Sequence, residues 1–197
     1  MIDYYARVID VIKDSMESIP DEEYEQLIEE CMKTLECGGK IIASGLGKNV
    51  PICEKFVGTL NSLGIDARFL HTNTAVHGDL GMVGKNDLVL LLSKGGNTYE
   101  TVALAEYLKK RGTNTWLLTF YDDCKSAEIV DKLLVLHLIE EGDVWNIIPN
   151  NSTTIYLIML QGIALEICKR KGITLDEFKV NHPGGGIGAR LSGKDLW

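Results

Sequence analysis

The stretch "NDLVLLLSKGGNT", residues 86–98, carries the pattern on which the fold turns. Five apolar residues without a charge run from Leu88 to Leu92, then stop at a serine, a lysine and two glycines. A short, continuously apolar strand is the signature of a sheet buried on both faces. The glycine loop after it leads into "TYETVALAEYLKKRG", an amphipathic helix stopped by Gly112. Strand, glycine loop and helix in that order form one half of a parallel crossover unit.

Outward from this unit the pattern repeats. "GGKIIASGLGKN" reads as turn, short apolar strand and glycine loop, and "VPICEKFVGTLNSLG" as a helix ending at Gly64. "IDARFLH", "NTWLLTFY" and "DKLLVLHL" are further strands, and "STTIYLIMLQGIALEICKRKG" is a long helix, apolar on most faces and so packed on two sides. Two helical segments precede all of this. Residues 2–18 and 21–36 place apolar side chains at three-to-four spacing, with Pro20 between them and Asp21 as the expected N-cap of the second. The pattern predicts one α/β domain over 1–197, a parallel-sheet three-layer α/β/α sandwich of flavodoxin or Rossmann type. Its parts are a helical pair at 1–37, a core at 38–179 and a C-terminal segment at 180–197.

Bulk composition narrows the function. The chain has 197 residues, 28 acidic against 20 basic, for a formal charge of −8. That balance argues against a nucleic-acid surface. An anionic ligand would need donors supplied locally. The five cysteines are scattered, odd in number and without a CxxC pair, as expected of reduced thiols in a cytosolic protein. The charged N-terminus is no signal peptide, and "TTIYLIMLQGIALEI" is too short to span a bilayer, so a cytoplasmic protein without membrane contact is expected.

In an open parallel sheet, ligands bind beyond the carboxyl ends of the strands. Two glycine loops fall there, "SGLGKN" (44–49) with Ser44, Gly45 and Gly47, and "SKGGNTYE" (93–100). Each precedes a helix, whose first N–H groups favour an anion. Ser93, Asn97 and Thr98, with the amides of Gly95 and Gly96, suit one phosphate group. Ser152 and Thr153, followed by Thr154, open the long helix as a further hydroxyl cluster. Read singly, these features are ordinary. A GxG after a strand can be a plain turn, Lys48 a surface residue, Glu100 a first-turn helix acid, and Glu140, Glu141 and Asp143 a solvated loop. The four histidines, His71, His77, His137 and His182, show no metal-ligand spacing. His137 reads as a structural histidine of an apolar strand, and His77 in "AVHGDLG" as turn or function alike.

Together these residues resemble the SIS (sugar isomerase) domain, and more closely the arabinose 5-phosphate isomerase family. The matching stretches are "GLGK" (45–48), "HGDLGM" (77–82), Ser93 to Glu100, "PNNSTT" (149–154) and "HPGGGIGARL" (182–191). The resemblance covers about residues 1–192. It implies a functional lysine at Lys48, a loop histidine at His77, two acids at Glu100 and Glu141, and a C-terminal histidine at His182. Three departures stand out. Gly95 replaces a second serine of the phosphate loop, Asn49 and Val50 replace a serine and glycine after the lysine, and no tandem CBS pair follows within the 197 residues, so nucleotide-type control is not expected.

The resemblance implies an aldose–ketose isomerase of a phosphorylated sugar, D-arabinose 5-phosphate and D-ribulose 5-phosphate first, working through an enediol without metal or organic cofactor. Glu141, shielded from water and with its pKa raised, is the first expectation for the base and Glu100 the second. Lys48 would stabilise the enediolate, and His182 would open the ring or relay protons. The family builds sites between subunits, so His182 is expected in a neighbour's pocket of a homotetramer, with the N-terminal helices at the interface. Two alternatives stay open: isomerisation of a hexulose or heptulose phosphate, and a non-catalytic sugar-phosphate sensor.

Overall fold

The computed structural model describes residues 2–193; the last four residues of the expected C-terminal segment lie outside the described residues. The elements run α1 (Ile2–Glu17), α2 (Asp21–Glu36), β1 (Ile41–Gly45), α3 (Asn49–Ser62), β2 (Ala67–His71), two 3-10 turns (Ala75–His77 and Asp79–Met82), β3 (Leu88–Leu92), α4 (Tyr99–Arg111), β4 (Asn114–Thr119), β5 (Lys132–Val135), α5 (Asn151–Lys171), α6 (Leu175–Val180) and α7 (Gly185–Leu191). The five strands are all parallel, in the order β2-β1-β3-β4-β5.

Period-two alternation sorts the strand side chains into two cores. Ile41, Ala43, Leu88, Leu90, Leu92, Trp116 and Leu118 face α2, α3 and α5, with α1 packed outside. Ile42, Val89, Leu91 and Leu117 face α4 and the loops after β2 and β4. Both faces of β1 and β3 are therefore dry, which is why those segments carry no polar alternation. The three-layer α/β/α sandwich expected from the pattern is the architecture found.

The strand order places a topological switch between β1 and β3. The chain leaves β1 for β2 on one side, then returns to lay β3 on the other. Loops that diverge at such a switch leave a crevice beyond the strand ends. Here the register Gly45↔Leu92 brings the two glycine loops side by side at that crevice.

Two local expectations are corrected. Pro20, not Asp21, is the N-cap residue of α2, and Asp21 with Glu22 and Glu23 occupies the first turn, where the helix dipole favours acids. His137 is exposed and lies past the end of β5. The glycine-rich tail turns at Gly185, φ +67, and then carries helix α7. Gly188 is required there because a Cβ would stand 2.6 Å from the carbonyl oxygen of His182.

Candidate active site at the carboxyl edge of the sheet

At the end of β3, Ser93 is buried and its Oγ accepts the N–H of Gly96 at 3.2 Å, closing the turn. Gly96 has φ +61, and a side chain there would strike Cys124 Sγ at 2.1 Å, so this position takes only glycine. Asn97 Oδ1 accepts the N–H of Lys125, which pins the loop from the other side. Among the described residues, the backbone N–H groups of Gly95, Asn97 and Thr98 have no acceptor within the chain. They stand at the N-terminus of α4, where anions are favoured.

The N-terminus of α5 is different, because the chain fills it with its own carboxylate. Glu141 is fully buried, not solvated. Its Oε2 accepts the N–H groups of Asn150 and Ser152, each at 3.0 Å. Its Oε1 accepts Ser152 Oγ at 2.7 Å and Lys94 Nζ at 2.6 Å. Burial by itself would push the carboxyl pKa up, but the hydrogen bonds from Lys94, Ser152 and Asn150 outweigh it and hold the pKa below the ordinary value. The expected raised pKa at Glu141 is therefore overturned, and with it the physical argument for Glu141 as a neutral-pH base.

The hydroxyls of Ser152 and Thr153 are occupied within the chain. The Ser152 hydroxyl and amide both serve Glu141, and Thr153 Oγ1 donates to the carbonyls of Pro149 and Asn150. Ser44 is likewise committed, buried and paired with Thr72 Oγ1 at 2.9 Å. Gly45 admits α3, since a Cβ would meet Asn49 Cβ at 2.8 Å. Gly47, at φ +59, turns the chain into exposed Lys48 at the head of α3. Asn49 Nδ2 donates to the carbonyl of Leu92 at 3.1 Å, which ties that head to the end of β3.

His77 and Glu100, 23 residues apart, come together. They line a cavity of about 140 Å³, with Thr72 and Asn73 on the β2 side and Tyr99 and Tyr107 on α4. His77 sits in the first 3-10 turn, held to the second by the Thr74 Oγ1–Asp79 hydrogen bond of 2.8 Å. Lys48, His77 and Glu100 thus share the carboxyl edge with the α4 amides.

His182 does not join them. Its Nδ1 lies 2.8 Å from the carbonyl oxygen of Phe178, and its ring stacks on Phe178 at 3.9 Å between centroids. The adjacent Asn181 donates to the carbonyl of Ser62, at the far end of α3. Among the described residues no group of three or more His, Cys, Asp and Glu could hold a metal ion, and no helix is long and apolar enough to cross a membrane.

Residues 34–165 match the SIS domain. The chain belongs to the SIS domain family. It is 31% identical over 185 residues to arabinose 5-phosphate isomerase KdsD of Pseudomonas aeruginosa, covering 94% of this chain and 57% of that protein. It is 34% identical over 161 residues to KdsD of Escherichia coli K12, covering 82% and 49%. This SIS domain spans about half the length of the curated relatives it matches. Among solved structures, c3406 of E. coli CFT073 in complex with arabinose 5-phosphate is 31% identical, with a TM-score of 0.85 over 91% of this chain and 94% of that one.

One charged residue at this edge escaped sequence reasoning. Lys94 reads as an arbitrary position inside a glycine loop, and its partner Glu141 is 47 residues away. A lysine between a serine and two glycines in an acidic chain was the available signal.

Proposed function

We propose that this SIS domain is an aldose–ketose isomerase of a phosphorylated sugar, interconverting D-ribulose 5-phosphate and D-arabinose 5-phosphate. One observation carries the reading. Of the helix N-termini at the carboxyl edge, α3 turns its first amides to the carbonyls of Leu46 and Gly47 and α5 gives the amides of Asn150 and Ser152 to Glu141, while α4 presents amides without an in-chain acceptor directly beside the His77–Glu100 cavity. A phosphate seated on α4 would place the carbon chain of its sugar between His77 and Glu100, next to Lys48.

In this reading Glu100 is the base. It takes a proton from C1 of the ketose and returns it to C2 of the enediolate, giving the aldose. Lys48 stabilises negative charge on the enediolate oxygens. His77 carries the proton between the two oxygens. His182 enters from a second subunit to open the ring of the aldose. Glu141 is a positioning residue that holds the start of α5. The supporting relatives are the arabinose 5-phosphate isomerases and the structure in complex with arabinose 5-phosphate, at 31–34% identity.

Assembly follows from the same reading. Tyr5 and Ile9 on α1 are 58% and 64% exposed, and Val144, Trp145 and Ile147 in the loop before α5 are 88%, 68% and 72% exposed. Apolar side chains this exposed suit contacts between copies in a homotetramer. The test is a coupled isomerase assay over pentose, hexose and heptose phosphates. Turnover of the pentose pair at least about ten-fold above the others is expected. Preference for a hexose or heptose phosphate moves the substrate, and binding without turnover of any of them leaves a sensor.

A further inference from the structure

We infer that Lys94 is a phosphate-binding cation of this site, presented to the ligand by the buried carboxylate of Glu141. The inference rests on the reading that an anion occupies the α4 N-terminus. Lys94 lies inside the phosphate loop itself, between Ser93 and Gly95. Its backbone is fixed, because its carbonyl accepts both Phe120 N–H and Thr119 Oγ1 at 3.0 Å. Its ammonium is fixed too, by the 2.6 Å bond to Glu141 Oε1, which in turn is held at the start of α5. Only one of its three N–H donors has an acceptor among the described residues. The side chain is 33% exposed, so the other two donors are within reach of a ligand.

Chemistry gives this cation a task. The protein carries a formal charge of −8, so an anion must be drawn in by local donors. Gly95 offers no hydroxyl, and a Cβ there would meet nothing within 4 Å, which leaves room beside the loop. The hydroxyls that sequence reasoning offered in compensation, Ser152 and Thr153, are already committed. Lys94 is the cation built into the loop. The rival explanation is that it merely neutralises Glu141, which already has three other hydrogen bonds.

Calorimetric titration of inorganic phosphate separates the two, using the full chain and its Lys94→Met, Lys94→Arg, Glu141→Gln and Lys94→Met/Glu141→Gln variants, each checked by circular dichroism. A phosphate-binding lysine predicts that Lys94→Met weakens phosphate by about ten-fold or more, the loss of one charge-assisted hydrogen bond. The salt dependence of the remaining affinity becomes shallower. Lys94→Arg keeps most of the affinity, and the double variant binds as weakly as Lys94→Met. Recovery of normal affinity in the double variant would show that Lys94 only neutralises Glu141 and would overturn the inference. So would unchanged affinity in Lys94→Met, or a wild-type chain without phosphate affinity. None of these readouts depends on turnover, so the isomerase reading stands or falls separately on the substrate panel.

Discussion

Asn181 Nδ2 donates to the carbonyl oxygen of Ser62 at 3.3 Å, and this fastens the residue before His182 to the end of α3 farthest from Lys48. The 14 residues of α3 span about 20 Å at 1.5 Å per residue, so His182 and the glycine loops stand at opposite ends of one helix.

A shared site is the expected consequence. His182→Ala and Glu100→Gln chains should each be nearly inactive. After dissociation and reassembly as a mixture, activity should return in part, because some sites receive both intact residues. If mixed oligomers confirmed by native mass spectrometry stay inactive, both groups serve from one chain.

Glu100→Gln should bind substrate almost normally and lose about 10²–10⁴-fold in kcat, the contribution typical of a general base. Exchange of solvent deuterium into the substrate carbon beside the carbonyl measures the step directly. Normal exchange in this variant would transfer the base role to His77, its neighbour across the cavity.

Glu141 makes a different prediction, one of stability. Its folded pKa is held below the ordinary value, so the unfolded chain takes up the proton first as the pH falls. Its contribution is present above the unfolded pKa of about 4.3 and disappears as pH drops through the folded value. Glu141→Gln should be less stable at pH 7, toward the lower end of the about 3–5 kcal/mol for breaking a buried pair, since Lys94 is one-third exposed. Urea denaturation at pH 7 and pH 4 should show the difference between the two proteins shrinking at the lower pH. A constant difference would mean that the carboxylate charge is not what stabilises the α5 terminus.

Gly96→Ala should deform the phosphate loop. It costs about 1–2 kcal/mol for the left-handed backbone, and more for the clash with Cys124 Sγ. Gly96→Ala/Cys124→Ala should recover the part of the steric cost due to Sγ and leave the backbone part, together with the closer approach to the Cys124 Cβ at 2.9 Å. Equal melting temperatures for the single and double variants would place the strain elsewhere.

The sandwich was legible in the sequence because burial on both faces of a parallel sheet leaves a local mark. Leu88–Leu92 and Ile41–Gly45 could not be half-exposed strands, and Gly112 stops α4 in the left-handed conformation its position suggests. The glycine loops were legible for the same reason, since each lies within a few residues of the strand that positions it. The SIS domain resemblance, too, rested on short local motifs.

What only the tertiary structure decided depends on pairings distant in sequence. Glu141 looks like one acid in a solvated run until Lys94, Asn150 and Ser152 close around it. Whether a carboxylate is raised or lowered in pKa depends on burial and donors together, and residue type encodes neither. Ser152 and Thr153 look like ligand donors until the fold commits their hydroxyls to Glu141 and to backbone carbonyls. Helix α7 in the glycine-rich tail left no local mark, because glycine's helix propensity is low and the close approach of Gly188 to the carbonyl of His182 shows only in three dimensions. Local patterns determined the layers and the edge where chemistry sits. The three-dimensional closure of hydrogen bonds decided which of the polar residues at that edge remain available to a ligand.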